Sequence, residues 1–125
     1  MNKETDTDQN VHLADRQCES SRLIRGNLND ESIMDLLSLL DDWQLIEQST
    51  AIKKKFTFKN FEKTMHFVNQ LSLIAQSQDH HPDVNFSYAQ CTVTFTTHAT
   101  DGLTENDFIC AAKLDVIYQS TAIVD

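Results

Sequence analysis

The sequence is poor in the residues that interrupt regular structure, with two glycines and one proline among its 125 residues. This scarcity excludes collagen-like, proline-rich and linker-like proteins. Cysteine is also scarce: three residues at wide spacing, with no C-x-x-C pair, predict no zinc-ligand set, and reduced thiols are the simplest interpretation. No apolar stretch approaches the roughly 18 residues of a membrane span, and Met1–Asn10 lacks the apolar core of a secretory signal.

Positive charge is in short supply as well, since 10 lysines and arginines face 19 acidic residues and leave a formal charge of −9. An acidic chain repels phosphate groups, so we expect no direct nucleic-acid partner and no membrane partner. The one basic run, Lys53–Lys55, we interpret as the solvated face of a strand rather than a binding patch. Together these features predict a cytoplasmic protein.

What the chain does have is the composition of one globular domain, with 40% hydrophobic and 23% charged residues. Residues 1–28 are polar and mixed in charge, without a clear period, and predict a loosely ordered N-terminal arm. The domain itself is predicted to occupy residues 29–125.

Two helices are predicted from apolar residues at three- and four-residue spacing behind a capping residue. The first is capped within Asn29–Asp30, because a short side-chain oxygen can accept a free N–H of the first turn, and is expected to end around Asp41–Asp42. The last opens at Thr104, with Asp107 three residues on, and its final residues, from about Gln119, are expected to fray.

The longest helix is predicted to follow Asn60, another good cap. Pro82 cannot continue a helix and disfavours the helical conformation at His81, the residue before it. This helix should therefore end near Gln78, with His80 and His81 at its exit.

Four segments alternate apolar and polar residues as strands do, at 43–47, 52–58, 84–88 and 91–97. In the second, a single face would carry Ile52, Lys54, Phe56 and Phe58. The resulting order, α-β-β-α-β-β-α, predicts a single-domain α+β fold whose four-stranded antiparallel sheet is packed on one face by helices.

Three of the five histidines stand at the ends of predicted elements, where reactive side chains can reach a ligand: His80, His81 and His98. Imidazole titrates near neutrality, so one neutral and one protonated ring can serve as base and acid. By themselves these residues are more readily interpreted as a surface pair and a strand-end residue than as a site. A zinc site is a second, less favoured interpretation. Zinc binding needs three or four convergent ligands, and adjacent residues of an extended chain point in opposite directions, so His80 and His81 would rarely reach the same metal ion. His12 and His66 we interpret as solvated.

Residues from about Leu36 to Asp115 resemble the pterin-4a-carbinolamine dehydratases. The resemblance rests on Trp43, the segment Phe56–Phe61 that reads F-x-F-x-N-F, Asp79-His80-His81-Pro82, Tyr88, Thr97-His98, Gly102-Leu103-Thr104 and Asp107. The combination of these motifs at these intervals is far more specific than any one of them.

The resemblance implies elimination of water from a 4a-hydroxytetrahydropterin, which gives the quinonoid dihydropterin. A proton must reach the departing 4a-hydroxyl and another must leave ring N5, and no metal or redox cofactor is implied. His80 and His98 match the family's acid/base histidines, and His81 matches its main substrate-binding histidine.

Three further residues are implied at the substrate site. Gln76 stands where the family usually has a carboxylate; it can hydrogen-bond but cannot stabilise an imidazolium by charge, which indicates a slower reaction or a changed substrate. Tyr88 packs either on the flat pterin or in the core. Asp107 either only caps the last helix or also orients a site histidine.

Other functions stay open. Animal relatives act as dimerisation cofactors of a homeodomain transcription factor, so a non-catalytic or weakly catalytic, protein-binding regulatory module is one alternative. Some bacterial and plant relatives are linked to molybdenum-cofactor metabolism, so a pterin-binding protein of that pathway is another. The resemblance also implies a homo-oligomer, dimer or tetramer, which would protect the two edges of the sheet.

Overall fold

Helices and strands follow one another in the predicted order in the computed structural model, which describes residues 13–24 and 26–124. After a short 3-10 helix at Ser21–Leu23, the elements are α1 (Asp30–Leu37), β1 (Gln44–Ile46), β2 (Ala51–Thr57), α2 (Phe61–Gln78), β3 (Asp83–Phe86), β4 (Gln90–Phe95) and α3 (Glu105–Val124). The α+β prediction is confirmed. The predictions for residues 1–12, including His12, lie outside the described residues.

The four strands form one antiparallel sheet in the order β1-β2-β4-β3. In the central pair, Ile52 lies opposite Phe95 and Phe56 lies opposite Cys91. All four of these side chains are buried, because alternate residues of a strand share one face and this face is covered by α2 and α3. The predicted packing of helices on one face of the sheet is therefore present.

The basic run Lys53–Lys55 is only partly the solvated face that its sequence predicts. The two outer lysines are exposed, but Lys54 is 7% exposed and its Nζ lies 2.8 Å from Asp115 Oδ1 on α3. Its ammonium group also lies 4.7 Å from the centre of the Phe56 ring, and Trp43 donates its indole N–H to the same carboxylate. A buried ion pair thus joins β2 to α3.

The ends of two helices differ from the sequence-based prediction. Helix α1 ends at Leu37 rather than near residues 41–42, because the chain tightens into i→i+3 hydrogen bonds that reach Leu40. Leu40 nevertheless packs in the core. Helix α3 continues to Val124, beyond the predicted fraying at Gln119.

Residues 13–24, here called the N-terminal segment, lie against the domain through several contacts. Leu13 is 2% exposed and belongs to the hydrophobic core. Lys113 donates to the carbonyl oxygen of Ala14 at 2.6 Å, and Arg16 pairs with Glu105 at the start of α3. A scan for hydrophobic periodicity does not find such contacts, and the predicted boundary at residue 28 stays a prediction.

None of the helices in the described part of the chain combines the length and hydrophobicity that crossing a bilayer would require.

Candidate active site

The exit of α2 directs its two histidines to different surroundings. Asp79 adopts the left-handed conformation, with φ of 52°, and the His80 N–H donates to the Ala75 carbonyl, an arrangement that ends helices. Pro82 then prevents a return to helix. As a result His80 is 9% exposed while His81 remains at the surface.

The His80 ring is fixed by two contacts. It stacks on Phe95 of β4, with centroids 5.8 Å apart and planes 6° apart. Its Nε2 lies 2.7 Å from Oδ1 of Asp107. Burial disfavours the charged ring, but the hydrogen bond and the negative charge of Asp107 outweigh burial and raise the pKa of His80 above its ordinary value.

Asp107 is fully buried and is held by donors from two sides. Its Oδ2 accepts the backbone N–H of Thr104 at 3.0 Å and the hydroxyl of Thr97 at 2.8 Å. The Thr104 hydroxyl in turn contacts that of Thr97 at 2.8 Å and accepts from the Asn106 N–H. Asp107 therefore caps α3 and also contacts His80, which is the geometry required by the second of the two alternatives, a cap that also orients a site histidine.

His98 reaches the same region from the turn between β4 and α3. That turn is closed by pairing between Thr97 and Gly102, whose backbone groups hydrogen-bond at 2.9 Å. The cleft has a volume of about 170 Å³ and is lined by Glu19, Ile24, Asp79, His80, His81, Thr96, Thr97, His98, Ala99 and Asn106. The adjacent His80 and His81 thus share one cleft with His98, from a different part of the chain, and Asp107 lies behind His80.

Two predicted site residues lie elsewhere in this chain. Gln76 is exposed and lies one turn before His80 on α2, outside the cleft lining. Tyr88 is 67% exposed, and its ring stacks on Phe61 at the start of α2, with centroids 6.4 Å apart. Since α2 has 18 residues and is therefore about 27 Å long, Tyr88 lies at the opposite end of the domain from the histidines.

Sequence reasoning missed the contribution of the N-terminal segment to the cleft. Glu19 lines it, and its backbone is held by the buried side chain of Asn106, which accepts from the Glu19 N–H at 2.9 Å and donates to its carbonyl at 3.0 Å. An acidic residue therefore lines the cleft, although Gln76 is neutral. No local signal marks Glu19, because its position depends on a partner 87 residues away.

Within residues 13–24 and 26–124, no group of three or more histidine, cysteine or acidic side chains is arranged to hold a metal ion.

Four antiparallel strands, helices on one face and a histidine-lined cleft define a small α+β domain with a candidate acid/base site. A family model described as Pterin 4 alpha carbinolamine dehydratase matches residues 26–117. A Legionella pneumophila protein, provisionally named a pterin-4-alpha-carbinolamine dehydratase, is 49% identical over 82% of this chain and 92% of its own length. The chain belongs to the pterin-4a-carbinolamine dehydratase family, which confirms the resemblance.

Solved structures share the fold. A Brucella melitensis protein described as a transcriptional coactivator/pterin dehydratase superimposes with a TM-score of 0.72 at 34% identity, over 74% of this chain and 99% of that one. A pterin dehydratase-like protein described as a RuBisCO assembly factor of the alpha-carboxysome superimposes with a TM-score of 0.56 at 22% identity, over 62% and 90%. At that identity the second likeness concerns the fold alone.

Proposed function

We propose that this chain dehydrates a 4a-hydroxytetrahydropterin to the quinonoid dihydropterin by histidine acid/base catalysis. The observation that carries the proposal is the convergence of His80, His81 and His98 on one cleft, with the buried carboxylate of Asp107 on His80. Family membership supports the substrate class.

The reaction asks for one proton to be delivered and one to be removed. Asp107 accepts the Nε2–H of His80, so Nδ1 is the ring nitrogen left for proton exchange. The raised pKa of His80 enlarges its protonated fraction near neutrality, which suits it to protonate the departing 4a-hydroxyl. His98, exposed across the cleft, is then the base that takes the N5 proton, and water leaves.

His81 is proposed to bind the pterin. It is exposed and lines the cleft beside His80, so its ring can contact a substrate without displacing the His80–Asp107 pair. Pterin rings carry several hydrogen-bonding groups at their edges, and imidazole can donate to or accept from them.

The test is a dehydration assay on the wild-type chain and on His80→Ala and His98→Ala. Each substitution should lower the rate by about 10²–10⁴-fold, the usual contribution of one positioned proton-transfer group. His66→Ala is the matched control, because His66 is exposed on α2 and lines a different surface with Gln70. A wild-type rate no faster than the uncatalysed reaction would overturn the proposal.

A regulatory module is the second candidate, and the description of the Brucella relative as a transcriptional coactivator favours keeping it. A module of this kind would bind a protein partner at the wild-type level after His80→Ala and His98→Ala.

A protein of molybdenum-cofactor metabolism would bind a pterin from that pathway in preference to the 4a-hydroxytetrahydropterin. Isothermal titration with both pterins distinguishes this alternative from the proposed dehydratase.

We also propose that the chain works in the cytoplasm as a homo-oligomer. Strands β1 and β3 are the edges of the sheet, and unpaired edges are normally protected. Elution at the monomer mass in size-exclusion chromatography at micromolar concentration would contradict this.

A further inference from the structure

Two cysteines that are far apart in sequence lie side by side next to the candidate site. Sγ of Cys18, in the N-terminal segment, is 3.4 Å from Sγ of Cys110 in α3. Both are free thiols; Cys18 is half-buried and Cys110 is fully buried. A disulfide requires sulfur atoms about 2.05 Å apart, so the pair needs to close by little more than an ångström.

The two thiols differ in acidity. The hydrogen bond from Cys110 lowers the pKa of Cys18 against the opposing effect of burial, with help from the positive charges of His80 and Lys113. The same hydrogen bond and burial raise the pKa of Cys110. Cys18 is therefore the more acidic thiol and the one that supplies the thiolate nucleophile, while Cys110 retains its proton.

We propose that Cys18 and Cys110 are a redox modification site that forms a reversible intramolecular disulfide on exposure to hydrogen peroxide. The Cys18 thiolate attacks one peroxide oxygen, the O–O bond breaks, and the product is a sulfenic acid plus hydroxide. The Cys110 sulfur then attacks the Cys18 sulfur and expels a second hydroxide. The Cys110 proton and one proton from solvent convert the two hydroxides to water, so two electrons pass from sulfur to peroxide.

A disulfide between Cys18 and Cys110 would affect the histidine-lined cleft, because Cys18 precedes the cleft residue Glu19. The Cys18 N–H donates to the Gln78 side chain at 2.8 Å, and the next residue, Glu19, is held by Asn106. A covalent link at Cys18 fastens this part of the N-terminal segment to α3 beside the histidines. It also removes the Cys18 thiol group, whose negative charge when ionised helps to raise the pKa of His80. A change in the dehydration rate that follows from these two changes rests on the proposed function, whereas formation of the disulfide does not.

The test uses the full chain, reduced and then treated with hydrogen peroxide at neutral pH. Unreduced digestion with trypsin and chymotrypsin, which separates Cys91 from Cys110, is followed by mass spectrometry. We expect a peptide containing Cys18 joined to one containing Cys110, lighter by two hydrogen atoms and released by dithiothreitol. Cys91, buried and with its pKa raised to about 11, should remain a thiol.

Three variants make the test decisive. Cys18→Ser and Cys110→Ser should abolish the joined peptide, and Cys91→Ser, the matched control, should retain it. Persistence of both thiols, oxidation of Cys18 without joining, or a link between two chains would overturn the proposal.

The effect on the cleft has its own readout. Oxidation should shift the titration of the His80 ring, followed by NMR, to lower pH, and Cys91→Ser should show the same shift. An unchanged His80 titration in the cross-linked protein would overturn the electrostatic link. Because neither readout needs turnover, failure of this proposal and failure of the dehydratase proposal are distinguishable.

Discussion

Asp107 shows how one side chain can serve both architecture and chemistry. One oxygen accepts the Thr104 N–H and the Thr97 hydroxyl at the start of α3, while the other accepts from His80. Because its donors come from a helix start, a strand end and the exit of α2, the carboxylate is fixed before any ligand arrives. A preorganised group of this kind loses little energy to reorganisation during a reaction.

Asp107→Asn tests the electrostatic part of this role. The variant removes the charge that raises the pKa of His80, so the His80 ring should titrate at lower pH. The alkaline limb of the pH–rate profile for dehydration, where His80 loses its proton, should move to lower pH as well. NMR titration of the ring and a pH–rate profile measure both shifts. An unchanged His80 titration would show that Asp107 acts only as a helix cap.

The same pair also affects stability. A histidine whose pKa is raised on folding adds stability that is fully present below its unfolded value of about 6.5. This stability is lost as the pH rises through the higher folded pKa. Urea unfolding between pH 5 and about 8.5 should show this loss in the wild type, and His80→Phe should remove it. A wild-type slope equal to that of the variant would contradict the assignment.

Glu19 and Gln76 offer a comparison between an acidic residue that lines the cleft and an amide residue that does not. Glu19→Gln should raise KM by about tenfold, because a hydrogen bond to a charged group contributes about 1.5–3 kcal/mol. Gln76→Glu, exposed and outside the lining, should change KM by less than about twofold. Steady-state kinetics measure KM for both variants. A large fall in KM for Gln76→Glu would show instead that this position contacts the substrate.

At the scale of elements, the long helix was predictable and its neighbours were less so. Asn60 and Pro82 are local signals, and α2 begins and ends where they indicate. The burial of Lys54 has no local signal, because it depends on Asp115, 61 residues away. The end of α1 likewise depends on how Leu40 reaches the core.

The ion pair between β2 and α3 gives a prediction at this scale. Lys54→Met should destabilise the fold by about 3–5 kcal/mol, because it leaves the Asp115 carboxylate buried without its counter-charge. Adding Asp115→Leu should recover most of the loss. Urea unfolding followed by fluorescence of Trp43, the only tryptophan, measures both, and a double variant no more stable than Lys54→Met would contradict the ion-pair explanation.

At the scale of the whole molecule, the candidate site is assembled from three parts of the chain: the exit of α2, the β4–α3 turn and the N-terminal segment. The histidines were predicted because their motif is specific, although the residues alone favoured surface positions. The third part was not predicted, since the sequence of residues 1–28 has no hydrophobic period and the packing of residues 13–24 depends on single anchors such as Leu13.

Leu13→Ala tests that anchor. Truncation of a buried leucine should lower the free energy of unfolding by about 2–5 kcal/mol. Leu23→Ala is the matched control, because Leu23 is 63% exposed and should change it by less than about 0.5 kcal/mol. Chemical denaturation compares the two, and equal effects would show that Leu13 is not part of the core in solution.

The cleft wall formed by Glu19 and Ile24 lies before residue 26, where the match to the family model begins. Under the proposed function, this wall and the three histidines are therefore contributed by separate stretches of the sequence. Exchange of the N-terminal segment between relatives is then expected to change the shape of the cleft while leaving His80, His81 and His98 in place.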